Sequence, residues 1–491
     1  MEYNSIWQKT SIENAKTKDD INNLQTDILI IGGGIAGISS AYFLAKEKKK
    51  VTIIDRSSIG NGITAKTTAK ISYLQKDIYQ KLESNFNDKI SKMYFDSQIE
   101  AIKLIKDIIK SEKIECNLEK CDSYIFTKTK KNIKKIKKEA NILTSWGIKC
   151  QNVTTLPILF PIKYGICVND TYTFHPLKYI NSLKKILDSK IDIYENVTAL
   201  EVIPKNDLFL VKTTEGIIKA KYLIIACHYP FFIFPGSIFL KSYIEREYVN
   251  SAKYKLNSKN FTALSIDKKL HSIRFFDNNI IYVSNSHRLT NNILYKNNYN
   301  QSRSDFKRLF SKEPELTWMN QDIMSNDNLP IIGRVDNKHN NLLVATAFNA
   351  WGMTNGTIAG KVLSDIILGN ENKYIKLFNP RRISIIGSVK SFIGSMFYAK
   401  IYCQTTIKRN PTFNNNSVYV VRINGNYYGV YYDYYGKKHM VKNKCPHMKC
   451  NLIFNEEEKT WDCPCHGSRF DIDGNVIQGP ANYSISVKID D

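Results

Sequence analysis

The sequence predicts an α/β fold at the N-terminal end of the chain and a separate, small all-β domain at the C-terminal end. An apolar run of strand length, Asp27 to Ile31, leads into a glycine-rich turn, and helical periodicity follows from Ile38 to Lys46. A second apolar run, Val51 to Ile54, completes a strand–helix–strand unit, which is typical of α/β proteins. The last 80 or so residues instead combine short strands, such as Val418 to Arg422, with glycine and proline turns and a cluster of cysteines and histidines. We therefore expect them to form a domain of their own.

The middle of the chain continues the alternation of helices and strands. The pattern predicts helices at Lys103 to Lys110 and Leu177 to Leu187, and a buried strand at Tyr222 to Ala226. Another buried strand is predicted at Leu342 to Thr346, with a glycine-containing loop and a helix to Leu368 after it. This succession extends the α/β class over most of the chain.

Composition excludes several classes of protein. The chain has 491 residues, 43% of them hydrophobic, and its 70 Lys and Arg against 46 Asp and Glu give a formal charge of +24. Such fractions are those of a globular protein of several domains rather than of a disordered chain. No apolar run reaches the roughly 18 residues that a membrane span requires. The start, Met1 to Asp27, lacks the pattern of a signal peptide, so we expect a cytoplasmic protein.

The basic excess is weak support for a nucleic-acid partner. Its densest cluster, Lys128 to Lys138, has isoleucines at helical spacing and indicates the solvated face of an amphipathic helix. We therefore do not expect a nucleic-acid partner. The semi-apolar stretch Ile383 to Met396 leaves a peripheral membrane contact open without supporting one.

The glycine-rich turn has the pattern of a dinucleotide site. Gly32, Gly34 and Gly37 follow the first strand and open the helix, so they permit a tight turn, a close approach of the backbone to a pyrophosphate, and close packing of helix on strand. Asp55 ends the second strand, where a carboxylate would accept hydrogen bonds from an adenosine ribose. The motif does not distinguish FAD from NAD.

Further motifs resemble those of the D-amino-acid oxidase superfamily of FAD-dependent oxidoreductases, which includes glycine and sarcosine oxidases. The segments are Gly60 to Lys70, Asn328 to Gly333 and Trp351 to Gly356, and the likeness spans residues 24–370. The resemblance implies FAD as the cofactor and a Rossmann-type fold with an interleaved α+β substrate domain. The additional FAD-contacting residues that it implies are Thr64, Lys66, Thr67, Thr68, Gly333, Trp351, Gly352, Met353 and Thr354.

The late glycine-rich loop has two interpretations. A helix beginning at Asn355 to Thr357 would direct the positive end of its dipole at the flavin edge that becomes anionic on reduction. Alternatively, Gly352, Gly356 and Gly360 allow close packing between helices.

Candidate catalytic residues are Arg274 and His287, because they lie where the related enzymes place strands over the flavin. An arginine there could hold a substrate carboxylate in a bidentate pair, although a solvated surface arginine fits the sequence equally well. We interpret His175 as a structural turn residue rather than a base.

The C-terminal cysteines and histidines have the spacing of a metal centre. Cys445 and His447 form a C-x-H pair, and 15 residues separate it from the pair formed by Cys463 and His466. Two thiolates and two imidazoles could bind zinc or complete a Rieske [2Fe–2S] cluster. Six other cysteines are scattered singly, which is unlike a disulfide scaffold.

The flanking residues resemble Rieske domains over residues 412–491, through the run Cys463 to Asp471 and the later Gly479 to Ala481. The resemblance implies that Cys445 and Cys463 bind the inner iron and that His447 and His466 bind the outer one. It also implies a disulfide between Cys450 and Cys465, with two unpaired buried thiols as the alternative.

Three further positions bear on the tuning of such a cluster. Ser468 is placed to donate a hydrogen bond to a cluster sulfide, which would raise the reduction potential. Phe470 stands where high-potential members carry a tyrosine, which predicts a potential below the top of the Rieske range. Met448 and Lys449 replace the usual Leu-Gly after the first histidine.

The expected organisation is an N-terminal extension (1–23), an FAD-dependent oxidoreductase domain (24–378), a linker (379–411) and a Rieske domain (412–491). Within the oxidoreductase domain, we expect residues 24–95, 150–230 and 320–370 to bind FAD, and residues 96–149 and 231–319 to bind substrate.

The combined motifs predict a dehydrogenase that oxidises a small amine or amino acid by hydride transfer to flavin. The cluster would carry electrons singly to an external one-electron acceptor. The alternatives are a flavin reductase that receives electrons through the cluster from a donor protein, an RNA-modifying flavoenzyme, and a redox-inert zinc module.

Overall fold

The computed structural model describes residues 4–11, 21, 23–233, 235–289, 295–382 and 415–487. Nearly all of the predicted linker, including Ile383 to Met396, therefore lies outside the described residues. The helices are α1 (Ile6–Thr10), α2 (Ile35–Lys46), α3 (Ile78–Asn85), α4 (Asp88–Ser111), α5 (Ile133–Ser145), α6 (Pro176–Leu187), α7 (Ile238–Lys241), α8 (Tyr295–Phe310), α9 (Gly352–Leu368) and α10 (Tyr374–Phe378). Short 3₁₀ helices occur at Ile63–Lys66 and Lys130–Asn132.

The strands form four sheets. They are β1 (Gln25–Ile31), β2 (Val51–Ile54), β3 (Lys70–Ile71), β4 (Glu119–Thr127), β5 (Gln151–Val153), β6 (Tyr164–Thr173), β7 (Asp192–Tyr194), β8 (Ala199–Lys205), β9 (Leu208–Thr213), β10 (Gly216–Ile225), β11 (Ser242–Lys253), β12 (Phe261–Ser265), β13 (His271–Phe276), β14 (Asn279–Arg288), β15 (Leu316–Ser325), β16 (Ile331–Arg334), β17 (Leu342–Thr346), β18 (Ser417–Ile423), β19 (Asn426–Tyr432), β20 (Lys438–Lys442), β21 (Ile453–Asn455), β22 (Thr460–Asp462), β23 (Arg469–Phe470) and β24 (Val476–Gln478).

The first sheet is the predicted nucleotide-binding layer. Its order is β16-β17-β10-β1-β2-β7, and β17, β10, β1, β2 and β7 run parallel. The strands β8 and β9 extend it as an antiparallel hairpin on β10. The C-terminal ends of its central strands are buried on both faces, which explains the apolar runs Ile28 to Ile31 in β1 and Leu223 to Ile225 in β10.

The second sheet has nine strands in the order β15-β11-β14-β13-β12-β4-β6-β3, with β5 on β6. It confirms the interleaved α+β layer. It is wider than the expected substrate-binding segments, because β3, β5, β6 and the second half of β15 come from stretches assigned to FAD binding. One pair of strands, β11 and β15, is antiparallel over ten residues and proves central to the site.

The C-terminal residues form two small antiparallel sheets, β18-β19-β20 and β21-β22-β23-β24. Trp461, Phe470 and Val441 lie in their shared core. This agrees with the predicted all-β domain.

The N-terminal extension is packed into the oxidoreductase domain. The side chain of Trp7 on α1 is fully buried, with its ring edge-on to those of His175 and Phe276. The boundary predicted at residue 23 therefore does not separate α1 from the domain that follows. Within the described ranges, no helix combines the length and apolarity needed to cross a bilayer.

Candidate functional site

The glycine-rich turn between β1 and α2 has the close approaches that its sequence predicts. Gly32 has a φ of +107°, and an added Cβ would lie 2.6 Å from the carbonyl oxygen of Ala226. A Cβ on Gly37 would collide with the carbonyl oxygen of Gly32. Asp55 Oδ2 accepts a 2.7 Å hydrogen bond from the Gly33 amide, so the carboxylate lies at the turn. Burial raises the pKa of Asp55, and the amides that bond to it oppose this shift. The geometry fits a dinucleotide.

The N-terminus of α2 points at the second predicted FAD segment. Thr64 Oγ1 accepts from the Ile35 amide at 3.2 Å, and it lies 3.3 Å from the position that a Cβ on Gly34 would occupy. Amides at a helix N-terminus are the groups that bind phosphate in dinucleotide folds, so Thr64 stands where the predicted phosphate contact belongs.

Residues 64–69, here called the flavin loop, are held by side chains from distant parts of the chain. The indole Nε1 of Trp7 donates to Thr67 O at 2.7 Å, and the indole Nε1 of Trp318 donates to Lys66 O at 3.0 Å. Ser5 Oγ donates to Ala65 O at 2.5 Å. The main chain of the loop is therefore fixed independently of any ligand. Sequence reasoning missed Trp7 because nothing near residue 7 signals a partner 60 residues away.

Arg274 lies under the flavin loop rather than in an open substrate pocket. Its guanidinium donates to Thr68 O, to Ala69 O at 3.1 Å and to Phe174 O at 2.7 Å, and its carbon centre stands 4.7 Å from the ring centroid of Trp7. The residue is 1% exposed, and burial lowers its pKa to about 9. These contacts favour a role in positioning the loop and do not favour the expected clamp on a substrate carboxylate.

The glycines of the late loop differ in their surroundings, and two of them serve helix packing. The helix α9 begins at Gly352, three residues before the expected start. A Cβ on Gly356 or Gly360 would lie 2.6 Å from side-chain atoms of α2, so these two glycines serve helix packing. A Cβ on Gly352 would meet nothing within 4 Å, which leaves room for a ligand there. Trp351 precedes the helix and is half-buried.

Three further residues predicted to bind FAD are Met353, Thr354 and Gly333, and Gly333 lies away from the flavin loop. Met353 is 3% exposed and Thr354 is fully buried in the first turn of α9. A Cβ on Gly333 would point at Pro380, 3.2 Å away, and towards Ile366. This position therefore packs against the C-terminal part of the oxidoreductase domain rather than against the flavin loop.

A group of carboxylates lies on the face of β11 and β15 that carries Trp318 and so faces the flavin loop. Glu245 and Asp322 are register partners across the two strands, and Glu247 follows two residues along β11 on the same face. Burial, together with repulsion between neighbouring carboxylates, raises the pKa of Glu247 to about 8 and that of Asp322 to about 7. The sequence signal for this face was Glu245-x-Glu247, an alternation that becomes meaningful only once the strand pairing is known.

A buried lysine stands near these carboxylates. Lys70 Nζ donates to Ser272 Oγ at 2.5 Å, and burial lowers the pKa of Lys70 to about 7. Glu247 acts in the opposite direction on this pKa, which places the two groups within electrostatic range of each other.

His287 lies on the opposite face of the sheet. It is the register partner of Arg246, its ring stacks on Tyr248 with centroids 5.8 Å apart, and its Nδ1 is 3.1 Å from Asn285 O. The structure does not bring it together with Arg274 or with the carboxylates. His175, as expected, is structural: its Nδ1 accepts from the Lys178 amide and caps α6.

The predicted cluster ligands come together in the C-terminal domain. Cys445 and Cys463 are free, buried thiols, and the rings of His447 and His466 have centroids 5.0 Å apart. Within the described part of the chain, the Nδ1 atoms of both histidines are buried without a hydrogen-bond partner, as expected of atoms reserved for metal. Burial lowers the pKa of His447 to about 4 and of His466 to about 3, so both rings are neutral and able to bind iron. The donor set fits a Rieske [2Fe–2S] cluster.

The predicted disulfide joins Cys450 and Cys465 and so links the two ligand loops. The sulfur of Cys463 lies within 4.8 Å of both, but the bridged sulfurs have no thiolate to offer a metal. A metal at this position would therefore take its thiolates from Cys445 and Cys463.

Three residues singled out in the sequence lie close to the cysteines predicted to bind the cluster. Ser468 is fully buried, accepts from the Ala481 amide at 3.0 Å, and forms a hydrogen bond with Cys445. Phe470 is fully buried and offers no hydroxyl. Lys449 adopts a φ of +57°, the left-handed region that the more usual glycine favours.

The second ligand loop, Cys463 to His466, is held on the face of β11 and β15 that is opposite to the flavin loop. Arg246 donates to Asp462 Oδ2 at 2.9 Å in an ion pair whose side chains are both 0% exposed. Arg246 also donates to Gln321 Oε1 at 2.8 Å, and Gln321 Nε2 donates to Gly467 O at 3.0 Å. The residues on both sides of the loop are therefore bonded to one cross-strand pair of the oxidoreductase domain.

Both histidines contact the oxidoreductase domain: the ring centroid of His447 lies 6.2 Å from that of Tyr229, and His466 is covered more deeply. His466 is 7% exposed, and its ring centroid lies 5.5 Å from that of Tyr229 and 6.3 Å from that of Phe239. Tyr229 follows β10, the strand whose end also forms the wall of the dinucleotide turn at Gly32. The outer-iron side of the cluster site is therefore adjacent to the FAD-binding layer.

Comparisons with known proteins agree with both halves of this geometry. A family model described as FAD dependent oxidoreductase matches residues 27–366, and a model of the Rieske [2Fe–2S] domain matches residues 404–488. The Rieske 2Fe-2S iron-sulfur protein YhfW of Bacillus subtilis (strain 168) is 31% identical over 468 residues, covering 93% of this chain and 92% of that protein. Gamma-glutamylputrescine oxidoreductase of Escherichia coli (strain K12) is 20% identical over 407 residues, covering 76% of this chain and 91% of that enzyme.

Solved structures show the same fold. Glycine oxidase from Geobacillus kaustophilus superposes with a TM-score of 0.62 at 15% identity, over 74% of this chain and all of that one. The family binds FAD, and the C-terminal domain binds a [2Fe–2S] cluster. The chain therefore belongs to the FAD dependent oxidoreductase family and is an iron–sulfur flavoprotein that carries a C-terminal Rieske domain.

Proposed function

We propose that this protein is a dehydrogenase of small amines or amino acids that delivers electrons one at a time to an external acceptor. When bound, FAD would accept a pair of electrons from the substrate, and the cluster would pass them on singly. The observation that carries the proposal is the packing of His466 against Tyr229 and Phe239, with Arg246 and Asp462 as a fully buried ion pair beside it.

The fixed interface supports transfer inside one molecule. A buried ion pair with hydrogen bonds on both sides holds its partners in one geometry, since breaking it leaves an uncompensated charge. The ligand loop is thereby held against the layer that binds FAD, so the protein keeps its two redox sites side by side without a large domain movement.

The lining of the flavin-facing sheet supports recognition of an amino group. Glu245, Glu247 and Asp322 offer carboxyl groups on the face towards the flavin loop, and Arg274 is engaged by main-chain carbonyls. A protonated amine bound there would favour the ionised form of these carboxyls and be oriented by it, and a carboxylate whose pKa is raised is the stronger base for accepting a proton from the amine. The similarity to gamma-glutamylputrescine oxidoreductase is consistent with an amine substrate.

The proposal is tested by mixing the oxidised holoprotein anaerobically with a panel of amines and amino acids. Flavin bleaching followed by the EPR signal of a reduced Rieske cluster is the expected result. A Cys463→Ser variant is the control, because it should keep the flavin response and lose the EPR signal.

Two outcomes would contradict the proposal. If the flavin bleaches and the intact cluster never reduces, the two sites are not coupled as proposed. If the cluster must be reduced by a donor before the flavin responds, electrons flow in the opposite direction and the protein is a reductase.

A further inference from the structure

The two histidine ligands have different surroundings. His466 is 7% exposed and covered by the oxidoreductase domain, as described above. His447 is only half-buried, and its neighbours Pro446 and Met448 also keep part of their surface exposed. The ring centroid of His447 also lies 6.2 Å from that of Tyr229, so both ligands contact the oxidoreductase domain, but His447 keeps more of its surface exposed.

Two lysines flank the ligand loop at the exposed histidine. Lys444 immediately precedes Cys445, and Lys449 is tied to the same residue by a 2.9 Å hydrogen bond from its amide to Cys445 O. Both side chains are exposed, and no carboxylate among the described residues forms an ion pair with either. The backbone of Lys449 is in the left-handed region, where glycine would be favoured, so this position carries a positive charge in place of the more usual glycine.

We propose that this surface, formed by His447, Lys444 and Lys449, docks an acidic one-electron carrier protein. The inference rests on the proposed function, since it identifies the partner of the cluster in that scheme. Carboxylates on the carrier would pair with the two lysines, and the chain's net charge of +24 would attract the carrier over longer distances.

The electron balance is simple. Each amine oxidised to an imine releases two electrons and two protons. Two oxidised carriers dock in turn and each takes one electron, no bond to the carrier forms or breaks, and the protons leave to solvent. The lysines act by positioning the carrier.

The first test measures how a reduced cluster reacts with small charged oxidants. Holoprotein reduced with dithionite is mixed with ferricyanide, an anion, or with hexaamminecobalt(III), a cation, and cluster oxidation is followed by stopped-flow absorbance. In the double variant Lys444→Glu, Lys449→Glu, we expect ferricyanide to react about tenfold more slowly and the cobalt complex faster at low ionic strength. High salt should remove most of the difference.

The matched control changes the net charge equally at a distant site. Lys134 and Lys138 are exposed on α5, and Lys134→Glu, Lys138→Glu should change both rates less than about twofold. Equal effects in the two double variants would show that only net charge matters and would overturn the inference.

A second measurement addresses the carrier itself. An oxidised, ¹⁵N-labelled plant-type [2Fe–2S] ferredoxin, an acidic protein, serves as the probe, and its chemical shifts report binding to the holoprotein. We expect a dissociation constant at least about tenfold weaker for the Lys444→Glu, Lys449→Glu variant than for the control. Unchanged binding in the variant would overturn the proposal. Because the cluster is reduced chemically in one test and no turnover occurs in the other, a failure here is distinct from a failure of amine oxidation.

Discussion

The buried pair between Arg246 and Asp462 offers a quantitative test of how the two domains are held together. Arg246→Met keeps the length of the side chain and removes its charge. Removing one partner of a buried ion pair typically costs about 3–5 kcal/mol. Asp462 would retain the Arg469 Nε at 3.2 Å and the Thr460 hydroxyl at 2.8 Å, so we expect the lower end, about 3 kcal/mol. That corresponds to about a 150-fold shift in the equilibrium between docked and undocked domains.

The assay is anaerobic stopped-flow mixing with a reducing substrate. Flavin bleaching should keep its rate, and reduction of the cluster should lag behind it in Arg246→Met. The matched control is Arg303→Met, because Arg303 pairs with Glu457 at 3.4 Å across the same interface with partly exposed side chains. Such a pair contributes about 0–1 kcal/mol, so its loss should leave the lag small. Equal lags in the two variants, or none in Arg246→Met, would refute the reasoning.

Four further outcomes are expected. Trp7→Phe removes the 2.7 Å hydrogen bond to Thr67 O and should weaken FAD binding about five- to tenfold, measured by quenching of flavin fluorescence. Cys463→Ser should abolish the [2Fe–2S] cluster in iron and acid-labile sulfide assays while the flavin spectrum persists. Burial raises the pKa of Glu247 from 4.5 to about 8, so between these values the folded state holds a proton that the unfolded state releases. The free energy of unfolding should therefore fall as the pH rises through this range. Urea titrations at several pH values should show a weaker pH dependence of this free energy in Glu247→Gln. Phe470→Tyr adds a hydroxyl in the buried core beside the cluster and should raise the midpoint potential in a redox titration.

The parts of the molecule that local sequence determines were predictable. The turn at Gly32 and Gly37 combines tight backbone approaches that few other residues allow, so its sequence is specific. The same holds for the pairs around Cys445 and Cys463, whose spacing is set by two loops of fixed length. The disulfide between Cys450 and Cys465 followed from the resemblance, and the structure has the same pairing.

The contacts that the sequence did not reveal join residues far apart in the chain. Arg246 and Asp462 are separated by 216 positions, and nothing in either neighbourhood marks the other. Arg274 was a candidate either for holding a substrate carboxylate or for a solvated surface position, and nothing in the sequence indicated its carbonyl partners, which lie 206, 205 and 100 residues earlier. The cytoplasmic location and the absence of a nucleic-acid partner stay predictions.

The strand pair β11 and β15 carries two sets of side chains that alternate along the same few residues. Glu245 and Asp322 face the flavin loop. Arg246 and Gln321, on the opposite face, form hydrogen bonds with the residues on either side of the second ligand loop. Substitutions on the first face should therefore alter the proposed recognition of substrate without disturbing the attachment of the iron–sulfur domain. A one-residue insertion or deletion in either strand would have a different outcome. It would move each side chain beyond it to the opposite face of the sheet, so that the carboxylates would point towards the cluster site. We expect evolution and engineering alike to change this enzyme's specificity by replacement here, and to confine changes in length to the turns beyond the strands.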